Sequence, residues 1–443
     1  MPIQLSDHFS YNKLLRFTFP SIVMILFTSI YGIVDGLFVS NFVGKTPFAA
    51  VNFIWPFLMM LSAVGFMFGT GGSALVSKTM GEQDHAKANR YFSLIVYTSF
   101  AVGVVITVLG LIFIRPLAAA LGAKGTMLDD CVLYGHILLL ALPFCILQFE
   151  FQSFFVTAEK PKLGLAVTVA SGVTNMVLDA LLVAVIPLGL VGAAVATAMS
   201  QMVGGLIPVI YFLRPNTGLL RLTGTKFDLR ALVKTCSNGF SELLSNVSMS
   251  LINMLYNVQL IRFAGEDGVA AYGVVMYVCL IFLSIFIGYS MGTAPVVGYH
   301  FGAKNHGELK SLLRKSVLIY AASSVVMAAL SMGLAGPMSA VFVGYDAELL
   351  EMTMRGFRIF SVSYLFSGYA IYASSFFTAL NDGVTSAIIS FTRTVIFQVA
   401  AVLLLPLIWG LGGVWASVIV SEGLSMVVSA VLIVIHRKKY QYW

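Results

Sequence analysis

Apolar runs long enough to cross a membrane recur along this chain with only short polar breaks between them. That pattern leaves few folds open. A helix rises about 1.5 Å per residue, so about twenty apolar residues cross the roughly 30 Å of hydrocarbon in a bilayer. Twelve runs qualify, near 14–40, 48–77, 91–114, 132–157, 163–186, 189–213, 230–263, 270–299, 312–335, 355–380, 384–407 and 411–436. Of the 443 residues, 59% are hydrophobic and 10% charged, against about 25% charged in soluble domains. No room remains for a sizeable soluble domain. The first dozen residues are polar, and the run after them is too long for a signal-peptide core. It has no small-residue cleavage site, so it is expected to stay as the first helix.

Charge orients these helices. With the N-terminus in the cytoplasm, nineteen of the 26 Lys and Arg fall on the tails and alternate loops. Six fall on the opposite side, and Arg393 lies within a helix. This is the positive-inside bias. It predicts a multi-pass protein of the cytoplasmic membrane with both termini cytoplasmic. The net charge of +7 therefore reports orientation, and no nucleic-acid partner is expected. Cys131, Cys145, Cys236 and Cys279 stand singly, without metal or disulfide-framework spacing, and read as free core thiols. The expected partners are small-molecule substrates and the lipid bilayer, with no obligatory protein partner and no cofactor.

The two halves repeat. A shift of 221 residues, as from Gly81 to Gly302, aligns Gly44 with Gly265, Gly71 with Gly292, His85 with His306, Pro116 with Pro337 and Gly189 with Gly410. Six helices per repeat is an even number, so both halves enter from the same side as parallel repeats. The expected fold is an all-α membrane protein of twelve transmembrane helices in two parallel six-helix lobes with pseudo-two-fold symmetry. The N-lobe spans 1–213 and the C-lobe 230–443. The polar stretch 214–229, RPNTGLLRLTGTKFDL, is the linker.

A charge within the hydrocarbon costs about 2.5–3.5 kcal/mol on insertion scales and marks a candidate functional site. Six such charges remain: Asp35, Glu150, Asp179, Glu242, Arg393 and Glu422. Asn175 and Asp179 lie at i and i+4 on one face of the fifth helix. Counting residues from the helix ends places them, Asp35 of the first helix and Thr197 of the sixth in the middle-to-outer part of the N-lobe. Two carboxylates, an amide oxygen and a hydroxyl suit a hard cation such as Na⁺. They equally suit a proton shared between two acids. The competing reading is that Asn175 and Asp179 cap local backbone and Asp35 bonds a neighbouring Ser or Tyr. The repeat mate of Asp35 is Tyr256, so cation coupling is expected in the first lobe only.

The seventh helix carries Glu242, Asn246, Asn253 and Asn257 on one side. With Tyr256 they form a candidate substrate cavity; the competing reading is interhelical hydrogen-bond glue. Arg393 and Glu422, at similar depth in consecutive antiparallel helices, read as a structural ion pair. Glu150 reads as interfacial. Met59, Met60, Met67, Met176, Met199 and Met202 read mostly as lipid-facing core packing, with an adaptable substrate surface the competing role.

The residues resemble those of the multidrug and toxic compound extrusion (MATE) family, prokaryotic branch. The resemblance rests on Pro20 followed by YGIVDGLFVSNFVG, on GTGGSALVSKTMGEQDHAKA and its mate GTAPVVGYHFGAKNHGELK, on the NxxxD of the fifth helix, and on GLVGAAVAT opening the sixth. It implies an antiporter that exports bulky, often cationic, amphipathic compounds in exchange for Na⁺ or H⁺ by alternating access. It implies an N-lobe cation site at Asp35, Asn175, Asp179 and Thr197. Some members also use a carboxylate in the tenth helix. Here that helix has none beyond its first residues, and Glu242 is the only seventh-helix acid that could stand in.

Three other readings remain. A flippase for a lipid-linked precursor needs a basic cavity, and Arg393 is the sole intramembrane base. An intramembrane enzyme is not expected, since HExxH, GxSG and paired GxGD motifs are absent. An ATP-driven pump is not expected either, since there is no GxxxxGK[ST] loop.

Overall fold

A computed structural model describes residues 3–215 and 218–443. Among them the chain forms helices and connections, with no strand. Helix α1, Tyr11–Phe38, starts where the Ser10 hydroxyl accepts the Lys13 N–H, and runs on through a π-helical turn, Val39–Val43. It is followed by α2 (Lys45–Gly81), α3 (His85–Ala120) and α4 (Gly125–Thr157). Next, α5 (Pro161–Asp179) continues through a π-helical turn at Ala180–Val185, and α6 spans Gly189–Leu213.

The second half opens with a 74-residue helical stretch, Leu229–Gly302, broken at Gly265, where φ is 63°. The break divides it into α7 (229–264) and α8 (266–302). Helix α9 is His306–Val343. Helix α10 comes in two pieces, Ala347–Ser361 and Tyr364–Ala379. Helix α11 comprises Gly383–Phe391, a π-helical turn at Thr392–Phe397, and Gln398–Trp409. Helix α12 is Leu411–Tyr440. Ten continuous helices are long and apolar enough to span a bilayer. The stretch broken at Gly265 supplies two crossings and the two-piece α10 adds one more. The twelve expected crossings are therefore present among the described residues.

The repeat is written into the backbone. Gly44 and Gly265 both have positive φ (114° and 63°), as do Gly189 and Gly410 (59° and 56°). Each pair turns the chain between two crossings, in a conformation that glycine adopts without steric cost. Gln83 and Lys304 hold φ of 65° and 54° at the same spacing. The residue after each caps the next helix: Asp84 accepts from Lys87 N and Asn305 from Glu308 N.

The lobes meet through glycines arranged with the same symmetry. A Cβ on Gly81 would stand 2.0 Å from Tyr299 O, and a Cβ on Gly302 would stand 2.0 Å from Lys78 O. Lys78 and Tyr299 are themselves repeat mates. Gly71 likewise abuts Gly239, while Gly292 abuts Thr18, the mate of Gly239. These contacts involve the first half of α1 and α7 and the second half of α2 and α8. They therefore lie towards the end of the molecule that carries both chain termini.

Two connecting segments differ from expectation. The N-terminal stretch reads as a polar tail, yet Leu5 and Phe9 are fully buried. It forms a strap across the lobes. Leu5 N donates to Glu159 Oε1 (2.5 Å) in the first lobe, and Phe9 N donates to Glu308 Oε1 (2.9 Å) in the second. Burial pushes the Glu159 carboxyl up from its ordinary value, against the pull of the Leu5 N–H. The linker also docks. Leu220 and Leu222 are buried, Arg221 N donates to Asn89 Oδ1 (2.6 Å) and Thr223 N to Ser93 Oγ (2.8 Å). Its polar residues hide two leucines that pack where only the folded lobe offers a surface. Asn216 and Thr217 of the linker lie outside the described residues.

The glycine contacts give a direct test. Gly302→Ala drives a methyl into a main-chain carbonyl, and overpacking of this kind costs about 1–3 kcal/mol. Gly333 in α9 has open space around it, so Gly333→Ala is expected to be neutral or to stabilise by up to about 1 kcal/mol. Thermal midpoints of the two purified variants in detergent should therefore move in opposite senses, or only the Gly302 variant should fall.

Candidate functional site

Helices α1, α5 and α6 converge inside the N-lobe. Asp35 comes from α1 just before its π-helical turn, Asp179 stands immediately before that of α5, and Thr197 faces them from α6. π-Helical turns are frequent at functional sites because they re-aim the side chains around them. The Thr197 hydroxyl lies 3.4 Å from Asp35 Oδ1 and 3.5 Å from Asn175 Nδ2, and donates to Ala193 O at 3.1 Å. The carboxylates of Asp35 and Asp179 face one another at interaction distance. Asn175, Asp179 and Thr197 are buried and Asp35 is partly exposed. The expected four residues are thus brought together.

Their hydrogen bonding is incomplete. Among the described residues, Asn175 Oδ1 and both Asp179 carboxylate oxygens are buried without a donor. Unmet acceptors of this kind cost about 1–3 kcal/mol each, more when charged. They leave three oxygen atoms free to meet a positive charge. Capping, the competing reading, would have satisfied these atoms with backbone N–H groups. Among the described residues no three His, Cys, Asp or Glu side chains group closely enough to hold a metal ion. With two carboxylates, an amide oxygen and a hydroxyl, the donor set fits a small monovalent cation or a proton. Tyr134 of α4 is an addition. Its ring is fully buried beside Thr197 and the two aspartates, and its Oη has no partner of normal geometry. A single tyrosine in an apolar helix carries no periodic signal, so only the packing reveals it.

Between the lobes lies a cavity of about 350 Å³. The N-lobe contributes α1 residues Ile25, Thr28 and Ser29, together with Phe66, Thr70, Ser73, Gln152 and Ser153. The C-lobe supplies most of the wall, including Glu242, Asn246, Asn253, Tyr272, Tyr364, Arg393 and Glu422. Glu242, Asn246 and Asn253 therefore reach the cavity as expected, with Asn253 Oδ1 accepting from Tyr272 Oη at 3.0 Å.

Tyr256 and Asn257 are corrections: neither lines the cavity. Tyr256 is buried in the C-lobe, where it shares a 2.8 Å hydrogen bond with Ser417 and stacks on Tyr272. The α7 wall of the cavity runs from Glu242 to Asn253, so Tyr256 and Asn257, on the same side of the helix but a turn further along it, lie beyond its end. None of the six methionines singled out lines the cavity either; Met249, Met276 and Met291 do. Glu150, read as interfacial, is enclosed by protein. It is fully buried against Gly69, accepts from the Ser99 hydroxyl, and leaves Oε1 unbonded. The Arg393–Glu422 pair forms as expected. Nε lies 3.1 and 2.9 Å from the two carboxylate oxygens, and Nη2 lies 2.8 Å from Oε1.

The whole chain has known counterparts. It is 25% identical over 435 residues to the multidrug export protein MepA of Staphylococcus saprophyticus, covering 97% of this chain and 94% of that protein. It is 24% identical over 430 residues to MepA of Staphylococcus aureus, with the same coverage. In structure it matches, at a TM-score of 0.93 and 22% identity, the outward-facing conformation of a multidrug resistance MATE family transporter, covering 100% of this chain and 99% of that one. The MatE family profile matches twice, over residues 20–181 and 243–403, one match in each lobe. The protein therefore belongs to the MatE family of membrane transporters.

Proposed function

We propose that this protein is an antiporter that exports bulky amphipathic compounds, many of them cationic, across the cytoplasmic membrane. The drive is an inward flow of Na⁺ or H⁺, and both chain termini are cytoplasmic. The observation that carries this reading is the separation of two sites joined by one helix. The cluster of Asp35, Asn175, Asp179 and Thr197 contributes nothing to the cavity wall. Helix α1 supplies Asp35 to the cluster and Ile25, Thr28 and Ser29 to the cavity. Two carboxylates facing each other in a largely buried cluster favour a bound cation or a shared proton. An ion that binds there can move α1 without touching the cargo.

The lobes touch at the terminus-bearing end, and the fold matches an outward-facing relative. Under this reading the structure is the state open to the outside. Ion binding shifts the population towards the inward-open state after cargo has left, which requires the ion to bind the two states with different free energy. The relatives' names as multidrug export proteins support the cargo class. The flippase alternative is disfavoured because, among the described residues lining the cavity, Arg393 is the one base and is engaged by Glu422.

Asp35→Asn and Asp179→Asn are each expected to cut dye efflux from cells at least tenfold, while the purified variants keep the wild-type gel-filtration profile. Full efflux by either variant would remove the cluster from the mechanism. In proteoliposomes, uptake of a cationic dye under an imposed Na⁺ gradient at clamped pH would identify Na⁺ as the driver. Uptake under a pH gradient without Na⁺ would identify the proton. Transport driven by neither overturns the antiport reading.

A further inference from the structure

Among the described residues that line the cavity, three carry an ordinary charge: Glu242, Arg393 and Glu422. They come from α7, α11 and α12 and face one space. The three hydrogen bonds of the Arg393 guanidinium to a carboxylate all go to Glu422. Glu242 lies within electrostatic range of the same guanidinium, takes no part in that fork, and is partly exposed. Arg393 sits inside the π-helical turn of α11, Thr392–Phe397. The C-lobe thus has a π-helical turn of its own, at a position different from the turns that follow Asp35 and Asp179 in the N-lobe. A widened turn in a spanning helix has a cost, and here it delivers the one intramembrane base to the cavity wall.

A purely structural pair would be better placed inside the lobe, away from water, where nothing competes for its partners. This pair is on the wall, with Arg393 17% and Glu422 6% exposed, and a second carboxylate stands nearby. The arithmetic of charge then matters. Two carboxylates and one guanidinium leave the cavity with a single net negative charge, and the forked geometry decides which carboxylate keeps it. Bidentate Arg–carboxylate pairing is stronger and more directional than a single contact. The guanidinium therefore stays with Glu422.

We propose that Glu422, by clamping Arg393, sets the charge selectivity of the cavity: it leaves Glu242 as the uncompensated carboxylate that receives the positive group of an amphipathic monocation. Glu242 is then a binding residue and Glu422 a positioning residue. This assignment rests on the exporter reading and specifies its cargo. With Glu422 neutral, Glu242 is the sole carboxylate left in the cavity for Arg393, the two pair, and the cavity has no net charge.

Tetraphenylphosphonium and tetraphenylborate have nearly the same shape and opposite charge, so their affinity ratio reports cavity charge and cancels changes in protein quality. Calorimetric titration of the purified full-length protein is expected to show the phosphonium bound at least tenfold more tightly than the borate. Glu422→Gln and Glu242→Gln should each lower that ratio at least tenfold. The double variant Arg393→Gln/Glu422→Gln should restore it, because Glu242 is again uncompensated. A structural role for the pair predicts instead that affinities for both ions fall together and that the double variant is no better than the single. An unchanged ratio in Glu422→Gln and Glu242→Gln, or no recovery in the double variant, overturns the assignment. A wild-type protein that binds both ions equally overturns it while leaving the exporter reading intact; one that binds neither overturns the exporter reading as well.

Discussion

Two carboxylates on different helices, Asp35 and Asp179, face each other inside an apolar bundle, and much of the N-lobe is arranged around that confrontation. Among the described residues neither is paired with a base; the only base within the spanning segments of the sequence, Arg393, belongs to the other lobe. The groups that surround the pair, Asn175, Thr197 and Tyr134, are neutral. They provide dipoles that orient the site without cancelling its charge. A salt bridge there would have made a rigid strut. In the antiport proposed above, these unmet oxygens are the atoms that meet the small cation, and binding of that kind can bias a conformational equilibrium.

The two lobes solve the same packing problem with different chemistry. Tyr256 stands in the C-lobe where Asp35 stands in the N-lobe, and it bonds Ser417 of α12 much as Asp35 meets Thr197 of α6. The helix pairing is retained and the charge is not. The C-lobe charges, Glu242, Arg393 and Glu422, have instead moved to the cavity wall. The molecule thus separates an all-oxygen cluster in one lobe from an ionic wall in the other. Helix α1 and the glycine seam between α2, α7 and α8 connect them mechanically. Main-chain atoms approach so closely along that seam that the lobes have little freedom to slide at that end while it is closed.

Some features were legible before any coordinates because the bilayer enforces them. Apolar runs must become helices when no water is present to bind the backbone, so the twelve crossings follow from composition. The 221-residue shift aligns glycines that do become matched positive-φ turns, Gly44 with Gly265 and Gly189 with Gly410. The i, i+4 spacing of Asn175 and Asp179 and the depths of Asp35 and Thr197 pointed to one cluster, and these residues do meet. Extrapolation along a single helix was less secure. The seventh-helix stripe was read on to Asn257, yet the cavity ends along that helix at Asn253, a depth that periodicity within one helix does not give.

What the sequence by itself determined is the number of helices, the repeat, and which buried charges need a partner, since each depends on local composition and on the cost of polar groups in lipid. What only the tertiary structure decided is which side chains share a space. Tyr134 joins the cluster, Glu150 is sealed against Gly69 and Ser99, Leu5 and Phe9 turn a polar tail into a strap, and the Arg393 fork lies on the cavity wall. The reason is physical. Such contacts join residues from helices far apart in the chain, and their existence depends on crossing geometry, which no periodicity within one helix contains.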